Sequence, residues 1–259
     1  HMTKGQLFEL FASETKENAA LFSKILIQAV ENGEKSITRE FRLKKKEGEY
    51  IWVRGNYSLI RDEVNRPYLI VGNLSDITAR KINEQIQEVR FHLMQIMPKV
   101  SLNELLVAAL DEIEKIINSN VAFYHFIDED QKKVSLQAWS TNTKNLCGAK
   151  FFETQYSINN AGVWMDCVRK RKPIIHNDFS AVKNQKGMPE GHPSITRELT
   201  VPVIRAGKIV SILGVGNKVT EYTSLDLELV NRLADITWDF VENKRIDEAL
   251  KEWVTLHRP

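Results

Sequence analysis

Apolar residues change spacing several times along this chain, and each change marks a predicted element. Leu7, Leu10, Phe11, Leu21, Phe22, Ile25 and Val30 recur at helical spacing, so residues 6–31 read as helix until Asn32-Gly33 stops it. The period then drops to two. Ile37, Arg39, Phe41 and Leu43 predict one strand, Tyr50 to Ile60 a second and Tyr68 to Leu74 a third. Turn signals at Lys46-Glu47-Gly48-Glu49 and Asp62 to Pro67 separate them, which predicts an antiparallel meander. Over residues 77–97 the spacing changes again. Ala79, Ile82, Ile86, Val89, Leu93 and Ile96 alternate steps of three and four, with Arg80, Lys81, Glu84, Glu88 and Arg90 between them. A period near 3.5 predicts a coiled-coil seam; a helix packed on its own domain is the plainer alternative. Pro98 ends that helix.

A second domain starts near Ser101, which with Glu104 forms a capping-box pattern. Leu105, Leu106, Ala109, Leu110, Ile113, Ile116 and Ile117 give an amphipathic helix. Val121 to Ile127 and Val134 to Trp139 predict a hairpin around Asp128-Glu129-Asp130-Gln131. Residues 140–160 read as irregular and polar. Gly162 to Arg171 reads as helix, Ile174-Ile175 as a short strand and residues 177–196 as a long loop. Glu198 to Ile204 and Ile209 to Gly216 predict another hairpin. Thr223 with Asp226 caps a last helix over residues 224–252.

Composition narrows the function classes. The 259 residues are 42% hydrophobic and 27% charged, with a net charge of +2. That balance gives no electrostatic reason for a nucleic-acid partner, and no apolar run approaches the about 20 residues of a membrane span. Cys147 and Cys167 form no CxxC pair and no zinc spacing, so no metal site is expected and a reducing, cytoplasmic setting is. No nucleophile elbow, P-loop or kinase motif is present, so the chain is not expected to be a self-sufficient enzyme. His1-Met2 reads as a cloning remnant, with the natural chain extending upstream.

The first segment resembles the C-terminal half of a PAS domain, through Phe41-Arg42-Leu43, Gly48, Tyr50-Ile51-Trp52-Val53, Pro67, Gly72 and Asp76-Ile77-Thr78. The second resembles a GAF domain of the kind found in sensor histidine kinases. Ala138-Trp139-Ser140, Gly162-Val163-Trp164, Arg171 to Asp178, Gly187 to Pro193, Val201-Pro202-Val203 and Gly214 to Lys218 carry that likeness. The resemblance implies an α+β chain: a partial PAS antiparallel sheet over 3–76, a signalling linker helix over 77–98, a GAF domain over 99–246 and a helical extension over 247–259. It implies Asp76 as the tie between the last strand and the exit helix, with Ile82, Ile86, Val89 and Leu93 as the signalling seam. An ordinary N-cap explains Asp76 equally well.

A GAF domain implies a small-molecule pocket on one sheet face. The candidate lining is Trp139, Cys147, Tyr156, Trp164, His176, Asp178, His192 and Arg197. His176 reads as a ligand contact, a haem ligand or a backbone-bonded loop residue. Asp178 reads as an Asx turn, and Arg197 as an anion holder or a surface ion pair. Asn217-Lys218 opens the motif of cyclic-nucleotide-binding GAF domains, but Tyr222 replaces its Phe and the Asp-Glu end is incomplete. The expected whole is the input region of a signalling protein, dimeric through helices 77–97 and 224–252. A ligand-free dimerisation and spacing module and a haem-based redox sensor are the alternatives, and no cofactor is assigned.

Overall fold

The structure is a computed structural model that describes residues 24, 27–44, 50–64, 67–147, 155–158, 162–182 and 194–257. The chain divides into two compact units, His1–Asn83 and Glu84–Pro259. Residues 27–31 are helical; the rest of the first predicted helix, apart from Lys24, lies outside the described residues.

In the first unit, β1 (Ser36–Lys44), β2 (Tyr50–Arg61) and β3 (Pro67–Asp76) form the expected meander in the order β1-β2-β3. The register sets Ile37 opposite Tyr57 and Tyr57 opposite Gly72. Ile37, Val53, Tyr57 and Leu59 are buried on one face. The Tyr57 ring lies over Gly55 and Gly72, where a Cβ would run into it. Helix α1 (Thr78–Ile96) leaves the sheet through a bonded corner. The backbone N–H of Thr78 donates to Asp76 Oδ1 at 2.9 Å, and Thr78 Oγ1 accepts from the Trp52 N–H at 2.9 Å. On the other face Arg54, Arg80 and Lys81 converge on Glu40, holding its carboxyl down to about 2 through hydrogen bonds led by Lys81.

The second unit is a six-stranded antiparallel sheet in the order β6-β5-β4-β9-β8-β7. Its strands are β4 (Val121–Ile127), β5 (Lys133–Trp139), β6 (Gln155–Ser157), β7 (Ile174–His176), β8 (Glu198–Arg205) and β9 (Lys208–Gly216). Helix α2 (Leu102–Ile117) starts with the expected capping box: Glu104 Oε2 accepts from the Ser101 N–H at 2.8 Å. It ends at Asn118 in the left-handed region. With the last helix, α5 (Ser224–Leu256), α2 covers the face that carries Tyr124, Val201 and Leu213. Tyr124 Oη donates to Ser211 Oγ at 2.9 Å on that face. Thr223 and Asp226 cap α5, and Asp226 also pairs with Lys218 at 2.6 Å. Lys218, the second residue of the partial cyclic-nucleotide motif, is thus engaged with the cap of α5.

Three expectations are corrected. The polar stretch after Trp139 contains a helix, α3 (Thr141–Leu146), and β6. Its sequence, Thr-Asn-Thr-Lys-Asn-Leu, has no apolar stripe. Side-chain bonds hold it instead, from Thr141 to Asp111 and from Asn142 to Glu114. Gly162 to Arg171 is not one helix: a 3-10 turn (Val163–Met165) leads into α4 (Asp166–Lys170), stopped by Arg171 at φ 52°. Finally, the 77–97 seam is not an open coiled-coil face. Ile82, Ile86, Val89 and Leu93 are 2%, 7%, 2% and 0% exposed within the chain. Around it, Lys244 of α5, itself buried, donates to the Met97 carbonyl at 3.0 Å, and His92 lies 3.1 Å from Glu112. Other faces carry open apolar residues: Phe91 and Met94 on α1, and the stripe Ile246, Leu250 and Trp253 on α5. Among the described residues no helix is long and apolar enough to cross a membrane.

Asp226 both caps α5 and pairs with Lys218. Asp226→Ala is expected to lower stability by about 3 kcal/mol, the scale of a broken partly buried pair plus a lost cap, measured by urea denaturation.

Candidate functional site

The face of the six-stranded sheet opposite α2 and α5 carries the polar groups. Alternation along the strands and the observed register place Phe123 and His125 of β4, Gly214 and Gly216 of β9, Glu198 and Thr200 of β8 and His176 of β7 on this one side. Glu198 lies directly opposite His176 on one flank and Gly216 on the other. The two glycines leave the floor between β4 and β8 without side chains. The Phe123 ring fills part of it, lying over Gly214 where a Cβ would collide with it.

The 3-10 turn and α4 roof this face. Trp164 stacks on His125 with centroids 4.7 Å apart, and Phe123 meets both rings edge-on, at 5.2 Å from His125 and 6.1 Å from Trp164. Met165 and Cys167 pack with Ile127, Val134 and Ile212 beneath them. Cys167 donates to the Trp164 carbonyl, and burial pushes its thiol up to about 12, so it is held as a thiol rather than a nucleophile.

This face gathers several polar atoms with no partner, while others lie elsewhere in the unit, at Glu114 Oε2, Trp238 Nε1 and Arg197 Nε. Buried polar groups in folded proteins are nearly always hydrogen-bonded. Here Glu198 Oε1, His125 Nδ1 and His176 Nδ1 are buried and bond to nothing, and Thr200 Oγ1 has only the Cys167 thiol beside it. Burial drives His125 down to about 3, so it is a neutral imidazole. Burial, with the charge of Asp166 adding to it, drives Glu198 up to about 8, so at neutral pH it is a protonated acid. His176 is shifted down by burial, against the pull of Asp166, whose Oδ2 lies 4.0 Å from Nε2. A neutral acid and neutral imidazoles can each donate or accept a hydrogen bond, which suits holding a ligand.

The predicted lining residues separate. Trp164 and His176 lie on this face, and Trp139 pairs with Phe123 at the end of β5. Asp178 and Arg197 instead line an open cleft of about 580 Å³ with Asn177, Phe179, Thr196 and Glu221. There Asp178 accepts from Ser180 and Ala181 as an Asx turn. Arg197 donates to the Lys218 carbonyl, at 3.4 Å. Cys147 ends α3. Tyr156 pairs with Val134 through its backbone. His192 lies outside the described residues. His125, Glu198 and Thr200 were not singled out in the sequence. Their signal is a polar residue at matching parity inside otherwise apolar strands.

Comparisons with known proteins agree with this architecture. The sequence profile described as GAF domain matches residues 99–242, and one described as PAS fold matches residues 15–74. The chain is 30% identical over 185 residues to the methyl sulfide methyltransferase-associated sensor of Methanosarcina acetivorans. That match takes in 69% of this chain but 18% of the relative's length. Among solved structures, the GAF domain of a phosphoenolpyruvate-protein phosphotransferase from Coxiella burnetii aligns with a TM-score of 0.52 at 15% identity, covering 64% of this chain and 98% of that one. The corresponding Acinetobacter domain aligns at 0.51 and 16% identity, covering 66% and 96%. At such identities these two likenesses show the fold.

Glu198 gives a signed pH dependence. Its pKa is higher folded, at about 8, than its ordinary 4.5, so the folded state holds the proton more tightly. Its contribution to stability is intact below 4.5 and is lost as pH rises toward about 8. Glu198→Gln is therefore expected to gain on the wild type across that window and to level off above it, in urea midpoints followed by circular dichroism.

Proposed function

Because the chain belongs to the GAF domain family, with a PAS-fold segment ahead of it, we propose that it is the input region of a histidine kinase that responds to a small molecule or a redox change. PAS and GAF domains are sensory input modules, and the curated relative is named as a sensor. The carrying observation is the set of unpartnered buried atoms on Glu198, His125 and His176, all on one sheet face. A ligand there completes hydrogen bonds that the protein leaves open, which is how its binding distinguishes one conformation from another.

The relay runs along the flanking helices. Lys244 ties α5 to the end of α1, so a shift in either is felt by the other. The homodimer forms through the exposed stripe Ile246, Leu250 and Trp253, whose steps of four and three are those of a coiled-coil seam.

Native mass spectrometry of the purified chain is expected to show a co-purified molecule that Trp164→Ala loses; an unliganded wild-type mass, together with no response to added small molecules, would sink the sensing role. Light scattering at micromolar concentration is expected to give a dimer for the wild type and a folded monomer for Leu250→Glu combined with Trp253→Glu.

A further inference from the structure

We infer that the ligand face takes a small organic monocation, a protonated amine or amidine, with the Glu198 carboxylate as its counter-ion and the rings of Trp164 and Phe123 as its walls. This rests on the reading of that face as a ligand site and names its ligand class.

Glu198 is 4% exposed, and Oε1 has no partner. A carboxylate taken from water without a cation or several donors is strongly disfavoured, so Glu198 keeps its proton while unpaired. The groups facing it decide which charge it accepts. His176 comes from β7, Asp166 and Cys167 from α4, and Tyr222 from the segment before α5. Cys167 and Tyr222 are both driven up to about 12 by burial and stay neutral, and burial also favours neutral His176. The charge that reaches Glu198 is therefore the negative one of Asp166. The partners of Asp166, Arg169 and Lys170, are 37% and 51% exposed and screened by water. An incoming anion meets this negative field; a cation is drawn by it. Trp164 and Phe123, which border His125 on the same face, add the ring surfaces that attract cations. Binding is an exchange. The cation enters, the Glu198 carboxyl proton leaves for solvent, and the net charge of the site is unchanged.

The test is calorimetric titration of the 259-residue chain with n-butylammonium chloride, n-butanol and sodium butyrate, over a range of pH and in two buffers of different ionisation enthalpy. Butylammonium is expected to bind in preference to the other two. Its affinity should rise about tenfold per pH unit up to the Glu198 pKa and then level, with one proton released per cation below that point. Glu198→Gln should weaken it at least tenfold. Should that variant fail to fold, the wild-type pH profile and proton count decide alone. Binding of butyrate or butanol as tight as that of butylammonium, or a flat pH profile, overturns the cation assignment while leaving a ligand site in place. If none of the three binds, the cation assignment falls, and a co-purified molecule in the native mass spectrum decides separately whether the face is a ligand site.

Discussion

A sheet covered on both faces must find a partner for every polar side chain it carries inward. In the second unit the helix-covered face meets most of this requirement, with Trp238 Nε1 and Glu114 Oε2 left unpaired, and the other face leaves more of it open. Beneath α2 and α5, Tyr124 bonds Ser211, Thr237 bonds the Leu233 carbonyl and buried Lys244 reaches the Met97 carbonyl. That face is the packed core on which the strands and both long helices meet. The opposite face buries an acid and two imidazoles with unfilled hydrogen bonds. Each unfilled atom costs stability, roughly 1–3 kcal/mol when a buried group lacks its partner. A fold carries such a cost where the site serves something else.

The glycines of β9 belong to the same arrangement. A side chain at Gly214 would displace the Phe123 ring, and with it the edge contacts to His125 and Trp164. The aromatic rings and the glycine floor they cover are therefore one unit of packing.

Much of the fold was legible because its signals are local. The two capping boxes, at Ser101 and Thr223, and the alternation of the strands each follow from a few neighbouring residues. Helix α3 was not legible, since contacts to Asp111 and Glu114, about thirty residues upstream, hold a sequence with no apolar stripe. The stripe from Ile82 to Leu93 was visible as a period, but a period does not say what covers it, and here the chain itself does. The site was half legible. Trp164 and His176 stand beside loops and attract notice; Glu198 and Thr200 hide inside a strand, where only their shared parity marks them. Loop proximity grouped Asp178 and Arg197 with Trp164 and His176, yet both line the open cleft beside Asn177 and Glu221.

The length of α5 gives the Lys244 bond a mechanical meaning. The helix has 33 residues, and twelve of them, Arg245 to Leu256, extend past the tie to Met97. At 1.5 Å per residue that overhang is about 18 Å long, so a tilt of about 10° hinged at Lys244 swings its tip through about 3 Å. The tie is then a fulcrum. A displacement too small to disturb the packed sheet becomes, at the end of the lever, a step large enough to change which residues of a facing helix are met.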